Sequence, residues 1–143
     1  MHPSISHRAI RPIHPLHAIL LAFPFPLFLG ALVSDIAYFR SYEIQWSNFA
    51  QWLNAGGLFA GGFALTAALI HLFRTRRYGL SRPGLYLLTL LAAWITGLIN
   101  AFAYSQDAWA IMPEALWWSA ISTALALIAS WLGYSGTHLS EEI

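Results

Sequence analysis

Four long apolar segments constrain this chain of 143 residues more than any other feature of its sequence. They cover residues 18–39, 53–73, 83–106 and 115–132, and Asp35 is the only Asp, Glu, Lys or Arg within them. A helix needs about 20 predominantly apolar residues to cross the hydrocarbon core of a bilayer. The sequence therefore predicts an integral membrane protein.

The predicted fold is all-α. Short connections favour antiparallel neighbours, so we expect an up-down-up-down four-helix bundle. Its transmembrane domain would cover residues 16–136, after an N-terminal segment at 1–15 and before a tail at 137–143. The helices are expected at about 17–39, 53–73, 83–105 and 114–134.

The composition excludes several classes of function. The chain has no Cys, so disulfides, thiolate metal sites and iron–sulfur clusters are excluded. It also has no Lys, which rules out Schiff-base chemistry. A net charge of +1 gives no case for binding nucleic acid. No sequence motif of a known catalytic site is present, so we expect a protein that is not an enzyme.

The distribution of arginine predicts the orientation. Four spans would place both termini and the 74–82 connection on one side of the membrane. That side carries six arginines, at positions 8, 11, 74, 76, 77 and 82, whereas the other side carries Arg40 alone. Short cytoplasmic loops are enriched in Arg and Lys. We therefore expect a multi-pass protein of the bacterial inner membrane with both termini in the cytoplasm.

Small residues recur four apart on the second, third and fourth predicted helices, as in Gly57-x-x-x-Gly61. Such spacing lets helix backbones approach closely in lipid. We interpret these faces as packing inside the bundle, and a dimer interface is the alternative. Tyr38 and Tyr104 fall near the predicted outer boundary, where aromatic rings form belts at headgroup depth.

Several short motifs give the chain a resemblance to a known family. They are Ile13-His14-Pro15-Leu16-His17, Phe23-Pro24-Phe25-Pro26, Asp35, Ala55-Gly56-Gly57-Leu58, Asn100 and Trp131-Leu132-Gly133. From about residue 12 onward the chain resembles the prokaryotic membrane family catalogued as domain of unknown function twenty-two thirty-one. The resemblance implies four membrane helices and no established activity. The chain departs from the family pattern at His71 and at Pro83-Gly84-Leu85-Tyr86.

All six histidines fall on the predicted cytoplasmic side. Paired imidazoles from different helices can hold a b-type haem in a membrane bundle. Helices two and four would lie diagonally, which favours His71 with His138, and His17 or His14 are substitutes. The alternative is that these side chains cap a helix or reach the headgroups. No metal site is predicted, because neither Cys nor an acidic partner lies near the histidines.

Asp35 is the one ionisable carboxylate inside the four apolar segments, and Asn100 lies at a similar depth. Ionisable residues within the membrane are often functional. We expect Asp35 to pin the bundle by hydrogen bonding to Asn100 or to the amides that begin the second helix. A proton-linked role is the alternative.

These observations favour a small non-catalytic inner-membrane protein. Its expected partners are the lipid bilayer and other membrane subunits, or further copies of the same chain. It would act as a subunit, anchor or assembly partner of a membrane complex, with a respiratory complex as one candidate. A b-type haem protein for electron transfer is the alternative function.

Overall fold

A computed structural model describes residues 15–75, 82–107 and 110–135. Within these residues the chain forms five α-helices and no strand: α1 Pro15–Ala22, α2 Pro24–Ser41, α3 Ile44–Thr75, α4 Arg82–Ala103 and α5 Glu114–Ser135. Four spans are long and apolar enough to cross a membrane: Pro15–Ser41, Ile44–Arg74, Arg82–Ala103 and Glu114–Ser135. The predicted all-α class with four membrane-spanning segments is confirmed.

The first span is interrupted at Phe23, although the sequence predicted one helix over 17–39. Proline has no backbone N–H, so Pro24 and Pro26 cannot donate to the carbonyls four residues earlier. The helix therefore divides into α1 and α2. The amide of Leu27 donates to the Phe23 carbonyl at 3.2 Å, which restores the regular pattern within α2.

The second span begins at Ile44 and not near residue 53, so most of the predicted connection is helical. Tyr42 ends α2 in the left-handed region at φ 54°, and its amide donates to the Tyr38 carbonyl at 2.7 Å. A helix of 32 residues is about 48 Å long, whereas the hydrocarbon core is about 30 Å thick. The early turns of α3 were missed because they carry polar residues and extend beyond an apolar span.

Each helix pair around the bundle packs side by side: α2 with α3, α3 with α4, α4 with α5, and α5 with α2. We call the end at which α2 and α4 finish and α3 and α5 begin the Asp35 end. The opposite end is the Leu21 end. Neighbouring helices run in opposite directions, as the contacts of α2 with α5 illustrate: Asp35 bonds to Ser119, while Leu21 on α1 meets Gly133 at the other end of α5.

Phe28 occupies the middle of the bundle and is 2% exposed. A Cβ atom added at Gly57 would lie 2.8 Å from the Phe28 ring, and one at Gly97 would lie 2.9 Å from it. Both glycines are therefore required where the ring passes between α3 and α4. This close approach supports the interpretation of the small-residue faces as internal packing.

The two halves of the core differ in chemistry. At the Leu21 end, the buried residues are Leu21, Ala64, Ala68, Tyr86, Leu90 and Ala129. At the Asp35 end, the buried polar residues are Ser34, Asp35, Ser47, Asn54, Asn100, Ser119, Ser122 and Thr123. Among the described residues, these eight lie between Phe28 and the Asp35 end, while Ser135 Oγ is a single buried polar atom at the other end. The candidate site therefore lies in the half at the Asp35 end.

Candidate functional site: a buried polar cluster

Asp35 is the centre of the polar half and is completely buried. Its Oδ2 accepts a hydrogen bond from the Tyr104 hydroxyl at 2.7 Å and a second one from the Ser119 hydroxyl. The carboxylate on α2 is thus held by groups from the end of α4 and from α5. Hydrogen bonds to a charged acceptor are stronger than those between neutral groups.

Asn100 closes the cluster from α4 and is also completely buried. Its Nδ2 donates to the Ser119 hydroxyl at 2.8 Å and to the Tyr104 hydroxyl at 3.2 Å. Tyr104 follows the last residue of α4, and its amide donates to the Asn100 carbonyl at 3.0 Å, so the two side chains lie on the same side of this final turn. We call Asp35, Asn100, Tyr104 and Ser119 the Asp35 cluster.

The structure can be compared with the positions that the sequence predicted for Asp35, Asn100 and the two tyrosines. Asp35 and Asn100 do lie in one network, but Asn100 reaches the carboxylate through Tyr104 and Ser119 and not directly. The assignment of Tyr104 and Tyr38 to an exposed aromatic belt is wrong, because they are 6% and 2% exposed. Hydropathy gives the depth of an aromatic side chain but not the face of the helix that carries it.

Sequence reasoning missed Ser119, although it lies on the α5 face that also carries Ser122 and Ala126. All three residues are buried, at intervals of three and four along the helix. That periodicity identifies an inward face. A serine on the inward face of α5, at the same membrane depth as Asp35, is the sequence feature from which this hydrogen bond could have been predicted.

Asn54 on α3 is a second residue that sequence reasoning missed. It is 1% exposed, and its Nδ2 donates to the Gly97 carbonyl at 3.0 Å. It lines a pocket of about 200 Å³ between α3 and α4 at the Asp35 end, which we call the Asn54 pocket. Its lining residues are Gln51, Asn54, Ala55, Ala101, Tyr104 and Ser105. Tyr104 belongs to both the pocket wall and the Asp35 cluster.

Three buried oxygens at this end have no hydrogen-bond partner: Asp35 Oδ1, Asn54 Oδ1 and Asn100 Oδ1. All three are acceptors. A buried acceptor without a donor costs roughly 1–3 kcal/mol. The polar half of the core therefore has fewer donors than its acceptors require.

The histidines predicted as haem ligands have different surroundings. His71 is exposed on the outer surface of α3, and His17 is half-buried on α1 with its Nε2 at 3.4 Å from the Tyr86 hydroxyl. His14 and His138 lie outside the described residues. The preferred pair, His71 with His138, therefore stays a prediction. Within the described part of the chain, no group of three or more metal-ligating side chains could hold a metal ion.

The arrangement joins helices in the buried core, where Asp35 and Asn100 are completely buried. Asp35, Tyr104 and Ser119 connect α2, α4 and α5 through hydroxyl groups. Toward the Leu21 end, the cluster is followed by Phe28, Ala93 and Ala126, which are apolar and buried. In the described ranges, the Asp35 cluster therefore does not continue past Phe28, and the buried Ser135 Oγ at the other end is separate from it.

Comparison with known proteins places the chain in a family without assigning an activity. No match was found among curated proteins or among solved structures. The family described as predicted membrane protein DUF2231 matches residues 13–143, which is nearly the whole chain. The earlier resemblance rested on motifs within the same region. The protein therefore belongs to the DUF2231 family of predicted membrane proteins.

Proposed function

We propose that this protein is a non-catalytic component of the bacterial inner membrane that acts by lateral association, as a subunit, anchor or assembly partner of a larger complex. The observation that carries the proposal is a groove on the outer surface between α3 and α4. Its lining residues are Leu58, Phe59, Gly62, Phe63, Thr66 and Trp94. We call it the Gly62 groove.

The Gly62 groove is fixed by contacts of its own. Trp94 Nε1 donates to the Leu58 carbonyl at 3.0 Å, which holds the indole ring across α3. The rings of Phe59 and Phe63 meet edge to face, with centroids 4.9 Å apart, and form one wall. These two side chains are 72% and 52% exposed, so the wall projects into the surrounding membrane.

The occupant we propose is a transmembrane helix of a partner protein. The groove lies near the middle of α3, at the depth of the hydrocarbon core. At this depth a polypeptide must satisfy its own backbone hydrogen bonds, which favours a helix. Gly62 exposes backbone at the base of the groove, and small residues allow the close approach by which helices associate in lipid.

Photocrosslinking in native membranes tests the association. A benzoylphenylalanine at Phe63 should give one adduct of discrete mass, and Gly62→Leu should abolish it by filling the groove. Leu88 on α4 is 58% exposed and does not line the groove, so a benzoylphenylalanine there is the matched control. An adduct with lipid only, or equal adducts at both positions, would contradict the proposal. An adduct at twice the mass of the chain would identify a second copy as the partner.

The fold can be checked independently of the association. A Cβ at Gly62 would lie 3.4 Å from Trp94 Nε1, which is a tolerable contact, whereas one at Gly57 would overlap the Phe28 ring. Gly62→Ala should therefore purify as a folded protein, and Gly57→Ala should lose stability. If Gly62→Leu is unfolded, the smaller Gly62→Ala still permits a test of the groove.

The proposed orientation places the Leu21 end in the cytoplasm. It rests on the six arginines predicted on that side of the membrane, compared with Arg40 alone on the other side. Reporter fusions at Ser105 and at the C-terminus should therefore report opposite sides of the membrane. Signals from the same side would refute the four-span arrangement.

A further inference from the structure

Within the described residues, one face of α3 projects away from the other helices and carries the most exposed rings of that helix. Its members lie at alternating intervals of four and three residues and are Trp52, Gly56, Phe59, Phe63, Thr66, Ile70 and Phe73. The four aromatic side chains are between 52% and 79% exposed. The face is about 32 Å long, close to the thickness of the hydrocarbon core. We call it the α3 seam.

The centre of the α3 seam is apolar. No Asp, Glu, Lys or Arg lies between Trp52 and Phe73. The Thr66 hydroxyl donates to the Gly62 carbonyl at 2.8 Å, so its hydrogen is already paired within the helix. An unpaired polar group would be costly at this depth. The seam can therefore contact another helix without stranding this hydroxyl.

The Gly62 groove lies on the α3 seam and has the arrangement of a hole for one incoming side chain. In parallel helices that pack along such a seam, each side chain inserts between four residues of the facing helix. These are the residue at its own position, the one before it, and the seam neighbours on either side. For Phe63 the four are Phe59, Gly62, Phe63 and Thr66, and all of them line the groove. The groove is therefore shaped to receive a Phe63 ring from an identical helix at the same height.

Helix α5 shows that the spacing alone does not make such a hole. Its exposed residues repeat at the same intervals and include Trp117, Ile121, Ile128 and Trp131. Ile128 lies at a depth similar to that of Phe63, because the adjoining Ala129 and Ala64 pack in one core cluster. The residue before Ile128 is Leu127, which is 48% exposed, whereas the residue before Phe63 is Gly62. The leucine occupies the position that the glycine leaves open.

We propose that the helix in the Gly62 groove is α3 of a second copy of this chain, related to the first by a twofold axis along the membrane normal. This inference rests on the proposed function, because it names the helix that occupies the same groove. Two copies of one sequence share one orientation in the membrane, so their α3 helices run parallel and equal positions meet. Each Phe63 ring enters the groove of the other copy, where the Phe59 ring is already held edge to face with that copy's own Phe63.

The area of the α3 seam is sufficient for a specific dimer. An aromatic side chain buries roughly 150–250 Å² when it is fully covered. At their exposed fractions, the four rings offer roughly 500 Å² on each copy, or about 1,000 Å² for the pair. A specific interface needs about 1,000 Å² in total. The seam of a second copy meets this requirement.

Disulfide crosslinking in native membranes tests the dimer, because the chain has no cysteine of its own. A disulfide needs Cα atoms within about 7 Å, which equal positions on two packed seams reach. Thr66→Cys should therefore give a covalent dimer of twice the chain mass under a mild oxidant. Ile128→Cys on α5 is the matched control, since Ile128 is 48% exposed at a similar depth and should stay monomeric.

Two further substitutions in the Thr66→Cys chain connect the dimer to the groove. Gly62→Leu fills the groove and Phe63→Ala removes the ring that enters it, so each should lower the crosslinked fraction several-fold. Phe63 is 52% exposed, so Phe63→Ala should fold even if Gly62→Leu does not. The absence of a Thr66→Cys dimer would overturn the inference. Equal crosslinking of Ile128→Cys, or a dimer that Phe63→Ala leaves unchanged, would do the same.

The result also separates this inference from the proposed function. A photoadduct of Phe63 with a different protein, together with no Thr66→Cys dimer, would refute the pairing of two α3 helices and leave lateral association standing. A Thr66→Cys dimer together with a photoadduct of twice the chain mass would support both. Lipid adducts alone, with no disulfide dimer, would refute both.

Discussion

The Asp35 half and the Leu21 half of the bundle are built by successive turns of the same helices, yet they are held together differently. Around Leu21, the buried side chains are apolar and pack on small residues such as Ala64 and Ala129. Around Asp35, the buried contacts include hydrogen bonds between helices. In lipid, burial of apolar surface gives little driving force for helix association, so close packing and hydrogen bonds between helices must provide it. The Leu21 half relies mainly on packing, whereas the Asp35 half combines hydrogen bonds with an apolar cluster that includes Ala50, Ile111 and Ala115.

The difference also predicts how each half of the bundle responds to substitution. A packed apolar half is sensitive to the volume of a side chain, and a hydrogen-bonded half is sensitive to its chemistry. Within the described residues, the polar half carries three unpaired side-chain oxygens and the Asn54 pocket, whereas the Gly62 groove and the unpaired Ser135 Oγ lie on the Leu21 side of Phe28. Substitutions that alter volume and polarity separately can therefore test the comparison.

The largest effect is expected at Leu21, which is 1% exposed. Leu21→Ala removes packing atoms and leaves a cavity, so the free energy of unfolding should fall by about 3 kcal/mol. Leu21→Met nearly conserves the volume and should cost less than about 1.5 kcal/mol. Reversible unfolding in mixed micelles provides the measurement. Equal losses for the two variants would show that this half does not depend on volume.

A smaller effect is expected at Asp35, where the chemistry changes more than the volume. Asp35→Leu strands the hydroxyls of Tyr104 and Ser119, so the free energy of unfolding should fall by about 2 kcal/mol. Asp35→Asn keeps an acceptor and should leave it nearly unchanged. The same unfolding assay measures both variants. A folded Asp35→Asn protein that loses its cellular phenotype would instead favour the proton-linked alternative.

The spans and the depth of Asp35 could be predicted because both depend on local hydropathy. The ends of the spans were harder to predict from the sequence. The start of α3, with Trp46 and Trp52, lies beyond the apolar run, and the division of the first span depends on Pro24 and Pro26, which hydropathy does not register. Periodicity does not fix which helix faces which, so Ser119 was missed as a partner of Asp35.

Asn54 shows a further limit of sequence reasoning. Its side chain bonds to the carbonyl of Gly97, a residue 43 positions away. No local pattern identifies such a contact, because it depends on the register of α3 against α4. The Asn54 pocket depends on the same register, so it too becomes visible only in the folded bundle.

The smallest effect is expected from removing one hydroxyl at each end. Tyr104→Phe keeps the ring but deletes the donor to Asp35 Oδ2 and the acceptor for Asn100, so the free energy of unfolding should fall by about 1 kcal/mol. Tyr86→Phe is the matched control in the apolar half, where the hydroxyl lies 3.4 Å from His17 Nε2. That distance is long for a hydrogen bond, so the control should cost less. The same unfolding assay measures both. If Tyr86→Phe lowered the free energy of unfolding as much as Tyr104→Phe, hydrogen bonding would stabilise both ends equally. The two halves would then not differ in this respect.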